Sequence, residues 1–282
     1  MIAVLGILVV LLSVAGGYHY AGGSLLILFQ PAEFLIICGA AFGSFLIAST
    51  KSSLPLVLKH LGEIFSGRHY GREDYLSVLA LLSRLLVKAR REGLASVEHD
   101  IENPLSSGIF AGHPGIRQDE AVVRFICDTF RVYLVTGEPQ EIEGIMFADI
   151  ETMHAQSSMP AQNLSKLAES LPGLGIVAAV LGVVLTMQNI SAPPDVLGHS
   201  IGAALLGTFL GVLLCYGFVG PMSTKLENRA QEREAFFNVI RATMSGTAHG
   251  ATPMIALEFG RRSVPDIYRP TFEEMERIMR AG

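Results

Sequence analysis

Lysine and arginine are absent from two long stretches of this 282-residue chain, Met1 to Thr50 and Glu169 to Gly220. All 21 of them fall in two blocks, 12 in Lys51–Lys166 and 9 in Lys225–Arg280. The only acids in the cation-free stretches are Glu33, Glu169 and Asp195. A charge at the centre of a bilayer costs roughly 2.5–3.5 kcal/mol or more, so membrane-crossing helices exclude it. This pattern predicts an all-α, polytopic membrane protein with four transmembrane helices and a helical cytoplasmic domain.

The expected spans run about Ile2 to Ala21, Phe34 to Thr50, Ser170 to Gln188 and Ser200 to Gly220. Such lengths match a hydrocarbon core roughly 30 Å thick. A signal peptide would carry a basic n-region and a shorter apolar core. The first segment has neither, which favours a retained helix. Pro31 opens the second span, Pro172 falls in the first turn of the third, and Pro221 closes the fourth. Proline suits a helix start because it has no N–H to offer.

Orientation follows from the positive-inside rule. Lys51, Lys59 and Lys166 flank the central segment, and Lys225, Arg229 and Arg233 follow the fourth span. The loops Gly22–Ala32 and Asn189–His199 carry no lysine or arginine and belong outside. The expected organisation is therefore 1–50 for the first two spans, 51–168 for a cytoplasmic helical domain, 169–220 for the last two spans, and 221–282 for a cytoplasmic C-terminal segment. Both termini lie inside. Within the central domain, Tyr75, Val78, Leu79, Leu82, Leu85, Leu86 and Ala89 recur on one helical face, with Arg84, Lys88 and Arg91 opposite. A break follows at Gly93, and a second apolar-periodic helix covers Ala121–Val135.

Net charge is −5, with no basic run, so nucleic acid is not an expected partner. Cys38, Cys127 and Cys215 form no CxxC or Cys/His cluster, which leaves reduced thiols and no metal site. The eight histidines are scattered, and no HExxH, GxSxG, P-loop or GxGxxG motif occurs. Neither an enzyme nor a cofactor is indicated.

The polar inventory of the spans is small. Glu33 and Glu169 sit at helix starts, where the macrodipole favours a carboxylate and interfacial capping accounts for both. No Asp, Lys or Arg lies well away from an interface, so ion conduction would need a carboxylate from a partner. Gly39–Gly43, Gly198–Gly202 and Gly207–Gly211 have GxxxG spacing, which serves oligomerisation and packing within one chain equally well. Thr186 and Thr208 are span hydroxyls. Each can bond its own i−4 carbonyl, or line a pore. Arg90 and Glu98 read as solvated charges near helix ends.

Several motifs, in order along the whole chain, resemble the MotA family of flagellar motor stator subunits. They are Gly16-Gly17-Tyr18, Gly22-Gly23-Ser24-Leu25, Gln30-Pro31-Ala32-Glu33, Asp100-Ile101-Glu102-Asn103-Pro104, Ser170-Leu171-Pro172, Gly175-Ile176-Val177-Ala178-Ala179-Val180, Gly207-Thr208-Phe209-Leu210-Gly211, Tyr216-Gly217-Phe218, Glu258-Phe259-Gly260-Arg261 and Arg269-Pro270-Thr271-Phe272. One departure is Gly173-Leu174, where Ala-Phe is expected.

The resemblance implies a proton-driven torque generator in the bacterial inner membrane. Five copies of this subunit would surround two copies of a MotB-type partner, which supplies the membrane aspartate and a peptidoglycan-binding domain. It further implies that Pro172 and Pro221 couple ion flow to conformational change, that Arg90 and Glu98 meet the rotor protein FliG, and that Thr208 lies near the ion path with Thr186. Sodium-type relatives place a threonine where this chain has Ala179, so the resemblance implies protons. A TolQ/ExbB-type energiser of the cell envelope is the runner-up; those proteins typically have three spans. A purely structural membrane scaffold without ion flux is the rival from another class.

Overall fold

A computed structural model of the chain describes residues 2–49, 62 and 69–280. Lys51 and Lys59 lie outside the described residues. The chain divides into two compact units, Met1–Arg68 with Ser157–Asn228, and His69–Gln156 with Arg229–Gly282. Among the described residues every regular element is helical.

The first unit holds the apolar helices. They are α1 (Ile2–Tyr20), a single turn α2 (Leu25–Leu28), α3 (Pro31–Ala48), the C-terminal part of α9 (Pro139–Gln188) and α10 (Pro194–Leu213). Four helical stretches are long and apolar enough to cross a membrane, beginning at Ile2, Leu25, Pro139 and Pro194. Pro31 occupies the first turn of α3, as its missing N–H allows. No residue of α1 is fully buried, and Val4, Leu5, Leu8, Val9, Leu11 and Leu12 are all exposed. The interior of this unit is built from Ile37, Ala41, Ala168, Leu171, Ala178, Leu210 and Cys215.

Two helices differ from the expected spans. The third does not begin near Ser170: α9 is continuous over 50 residues, with Pro160 and Pro172 both inside it. The fourth does not end at Pro221. A π-helical turn, Leu214–Val219, joins α10 to α11 (Gly220–Ala248), and the helix runs on through the proline. An interior proline removes one helix hydrogen bond and crowds the carbonyl four residues back. The π turn supplies the room at Pro221, since the Gly220 N–H reaches back five residues to the Cys215 carbonyl.

The second unit is a helical domain. It comprises α4 (Arg72–Glu92), a 3-10 turn (Leu94–Val97), the short helices α5 (Glu98–Glu102), α6 (Gly108–Ala111) and α7 (Pro114–Arg117), then α8 (Glu120–Thr136), parts of α9 and α11, α12 (Pro253–Ser263) and α13 (Phe272–Arg280). Asp74 accepts the Gly71 N–H at 2.9 Å and so starts α4. Asp119 caps α8 by accepting the Val122 N–H at 3.3 Å, and Gly137 ends it at φ +66°, a left-handed conformation that glycine adopts without a Cβ penalty. The face of α4 expected to be buried is buried: Tyr75, Val78, Leu79, Leu82, Leu85 and Leu86 are at most 2% exposed. Each such side chain contributes about 1.5–3 kcal/mol on leaving water. Phe236 of α11 stacks on Tyr70 at 4.1 Å between ring centroids and tilts against Tyr75. Cys127 is buried in α8, and burial pushes its thiol up to about 12, which leaves it a packing group and not a nucleophile.

Candidate functional site

Glycine sets how closely α9 and α10 approach. A Cβ built at Gly175 would fall 2.7 Å from the Gly207 carbonyl oxygen and 3.0 Å from the Gly211 Cα. One built at Gly211 would fall 2.5 Å from the Leu171 carbonyl oxygen and 2.9 Å from the Gly175 Cα. Backbone therefore meets backbone, the kind of contact that small residues permit in membranes. The Gly207–Gly211 pair thus packs within the chain. By contrast, among the described residues nothing comes within 4 Å of a Cβ at Gly39, Gly43, Gly198 or Gly202.

Glu33 enters this junction from α3. Its position after Pro31 predicts an interfacial cap; the structure instead buries it, at 7% exposure, among the helices. A Cβ at Gly207 would lie 2.8 Å from Glu33 Oε2 and 2.9 Å from the Ala179 nitrogen. A Cβ at Gly182 would lie 3.6 Å from Glu33 Oε1 and 2.7 Å from the Ala204 Cβ. Glu33 Oε2 is buried and has no hydrogen-bond partner among the described residues.

Of the residues expected along the ion path, Ala179 lies at this junction, and Thr186 and Thr208 lie on its two helices. Ala179 is 9% exposed and packs at Gly207. Thr186, 3% exposed, donates to the Gly182 carbonyl at 2.9 Å, the i−4 bond of a helical threonine. Thr208 follows Gly207 in α10 and is half-buried. The departure Gly173-Leu174 is locally benign: Gly173 is exposed, and Leu174 packs against the buried core of this unit. Pro172 lies on α9 beside Leu171, whose carbonyl faces Gly211. Pro221 borders a cleft of about 250 Å³ with Ala3, Gly6, Ile7 and Val10 of α1, with Lys225 at the rim.

In the second unit Arg90 and Glu98 are both exposed, at the last turn of α4 and the first residue of α5. Neither makes an ion pair among the described residues. Between them in sequence lie the Gly93 break and the 3-10 turn. Beneath this corner sits a buried pair that the sequence reading did not find. Asp100, 6% exposed, accepts from Lys88 Nζ at 2.7 Å and from Ser107 Oγ at 2.6 Å. Burial would raise the Asp100 carboxyl, but the Lys88 and Ser107 bonds and the Lys88 charge outweigh it and hold it below the usual carboxylate range. Ser107 Oγ also accepts the Ile109 N–H at 3.1 Å and so caps α6. Farther along, Arg261 and Arg262 clamp Glu258 at 2.7 Å each and hold its carboxyl at about 2. Arg261 also donates to the Pro270 carbonyl at 3.0 Å, tying the chain after α12 back to that helix.

Known proteins share this arrangement from end to end. Residues 4–93 match the motility protein A N-terminal family, and residues 117–238 match the MotA/TolQ/ExbB proton channel family. Motility protein A of Escherichia coli K12 is 42% identical over 283 residues, covering 100% of this chain and 96% of that protein. Chemotaxis protein LafT of Vibrio parahaemolyticus is 36% identical, covering 97% and 96%. In structure the chain superposes on C. jejuni MotAB with a TM-score of 0.79 at 20% identity, covering 94% and 95% of the two chains. It superposes on the flagellar MotAB stator complex from Bacillus subtilis with a TM-score of 0.75 at 21% identity, covering 98% of each. At this identity over its full length, the chain belongs to the motility protein A family.

Proposed function

We propose that this chain is the ring-forming subunit of a flagellar stator, which joins a MotB-type partner to turn proton flow into torque on the rotor protein FliG. The observation that carries the reading is the likeness to Motility protein A along the entire chain. Four apolar helical stretches favour it over a TolQ/ExbB-type energiser, which typically has three. The partner, a single-span protein with a membrane aspartate, belongs on the apolar faces that this chain leaves open, such as Ile176, Val177, Val180 and Val184. Five copies around two partner chains is the assembly that the family resemblance implies. The proposed setting is the bacterial inner membrane with both termini cytoplasmic.

In this mechanism a proton neutralises the partner's aspartate, the surrounding helices rearrange, and the cytoplasmic unit pushes the rotor. Pro172 and Pro221 are suited to the coupling step because each leaves a helix carbonyl without its usual donor, so bending there breaks no bond. Arg90 and Glu98 are suited to rotor contact because both are exposed, at the end of α4 and the start of α5, and make no ion pair among the described residues. Exposed ion pairs contribute only about 0–1 kcal/mol each. Neutral replacements should therefore weaken torque, while Arg90→Glu and Glu98→Lys should abolish swimming at normal expression. Compensating charge reversals in the rotor protein should restore part of it. Swimming that is untouched by both reversals would refute the rotor contact.

The proton assignment rests on Ala179. A sodium ion must replace its water with several oxygen ligands, and a methyl group at Ala179 offers none. Thr186 donates its proton to the Gly182 carbonyl, and Thr208 follows Gly207 on α10. Swimming in sodium-free, potassium-buffered medium should continue at full speed and stop on addition of a protonophore. Speed that collapses without sodium and survives the protonophore would assign the other ion.

A further inference from the structure

Glu33 is the one acid in the first 50 residues, and the packing gives it a place that capping does not explain. Its partners in the junction lie deep in their helices. Gly207 is 12 residues from Asp195 and 18 from Lys225, or about 18 and 27 Å along a helix. Gly182 is 13 residues past Glu169, about 20 Å, and 6 before the end of α9, about 9 Å. The carboxyl therefore packs between apolar helices and not at a free helix end.

Among the described residues its surroundings carry no counter-charge. Toward it face Gly182, Ala204, Gly207 and, beside them, Ala178 and Ala179. The stretches that pack here, 171–188 and 196–219, contain His199, Cys215 and Tyr216 as their only titratable side chains, and α3 contributes only Cys38 besides Glu33. His199 and Tyr216 are exposed, and Cys215 belongs to the apolar core. An ionised carboxylate buried without a partner is strongly unfavourable, and such a group neutralises by taking a proton. A carboxylic acid within an ion-conducting bundle is by default a functional group.

We propose that Glu33 is a proton-binding site of this subunit, which holds its proton at rest beside Gly207, Ala178 and Ala179 and exchanges it with the ion path. In the exchange, the carboxyl O–H bond breaks as the proton passes to a water oxygen, which leaves carboxylate and hydronium. An incoming hydronium then returns a proton to the carboxylate and departs as water. The site is separate from the partner's aspartate, and its role in conduction rests on the stator reading.

The test uses the purified complex of this chain with its MotB-type partner in lipid nanodiscs and liposomes. Infrared spectroscopy at neutral pH should reveal the carbonyl stretch of a protonated carboxylic acid that vanishes in Glu33→Gln. In liposomes made conductive by activating the complex, Glu33→Gln should lower proton flux by on the order of tenfold or more, the scale of losing a positioned proton donor. Glu33→Asp, which keeps the acid, should retain part of the flux. No Glu33-dependent acid band would overturn the proposal. A band with undiminished flux in Glu33→Gln would overturn its place in the path and leave a structural plug. If the unsubstituted complex conducts no protons, the stator reading fails instead, and the infrared band still decides whether Glu33 binds one.

Discussion

Gly211→Ala should abolish swimming by forcing two membrane helices apart. The added Cβ meets the Leu171 carbonyl oxygen at 2.5 Å and the Gly175 Cα at 2.9 Å. Both are backbone atoms, so no side chain can swing aside. Overpacking a well-filled core costs about 1–3 kcal/mol where side chains can adjust, and a backbone clash falls at the upper end or beyond. The displaced contact is continuous with that of Gly175 and Gly207, hence with Glu33, Ala179 and the whole junction. Gly202→Ala serves as the comparison, since nothing among the described residues lies within 4 Å of its Cβ. Swim-plate diameter, the amount of subunit in the membrane and the thermal midpoint of the purified complex read out the effect. All three should fall for Gly211→Ala and hold for Gly202→Ala. Normal swimming by Gly211→Ala would mean that the helices are not packed this closely. Failure of Gly202→Ala alone would place the tight contact between copies.

The second large effect is expected at Lys88. Removing one partner of a buried pair costs about 3–5 kcal/mol because the other charge stays buried, and the side-chain exposure of Lys88 lowers this toward about 2–3 kcal/mol. Lys88→Met should therefore lower the thermal midpoint of the helical signal by several degrees. Asp100→Asn should cost less, because the amide keeps the Ser107 bond. The pH dependence gives a sharper test. In the unsubstituted protein the Asp100 carboxyl is held below its unfolded value. Its contribution is then fully present above the ordinary carboxylate range, near 4, and is lost as pH falls through the lower, folded value. In Lys88→Met the Lys88 bond and charge are gone and the Ser107 bond remains against burial, so the carboxyl rises relative to the unsubstituted protein and the variant loses less stability on acidification. Parallel pH profiles for the two proteins would show that Lys88 and Asp100 are not coupled.

Much of this molecule is legible in its sequence because bilayers and helices both write periodic, charge-sparse patterns. The two cation-free stretches located all four spans, and the spacing of Tyr75 through Leu86 located the buried face of α4. Three features were not legible, each for a physical reason. Glu33 was read as a cap because it stands two residues after a helix-opening proline. Its burial depends on Gly182 and Gly207, which come from distant parts of the chain and which local sequence does not bring together. Pro172 and Pro221 were read as helix boundaries because proline usually is one; in a membrane, continuing the helix is the cheaper way to satisfy the remaining backbone groups. Lys88 was assigned to the solvated side of α4. Its partner Asp100 lies 12 residues on, beyond a glycine break and a 3-10 turn, at a separation that no helical period connects. The motif around Asp100 carried the family resemblance, yet its reason for being there is visible only once Lys88 and Ser107 converge on it.

The π turn at Leu214–Val219 also bears on how length changes are absorbed. An α-helix advances about 100° per residue, so a wheel drawn at that step from Pro194 onward slips out of phase across this turn. The face marked by Gly207 and Gly211 does not continue where simple counting would put it beyond Val219. In effect the turn is one residue of slack stored in a continuous rod. Deleting a residue there converts a wide turn to an ordinary one and leaves the hydrogen-bond ladder closed on both sides. The same deletion anywhere in α10 would throw its glycines off the α9 seam.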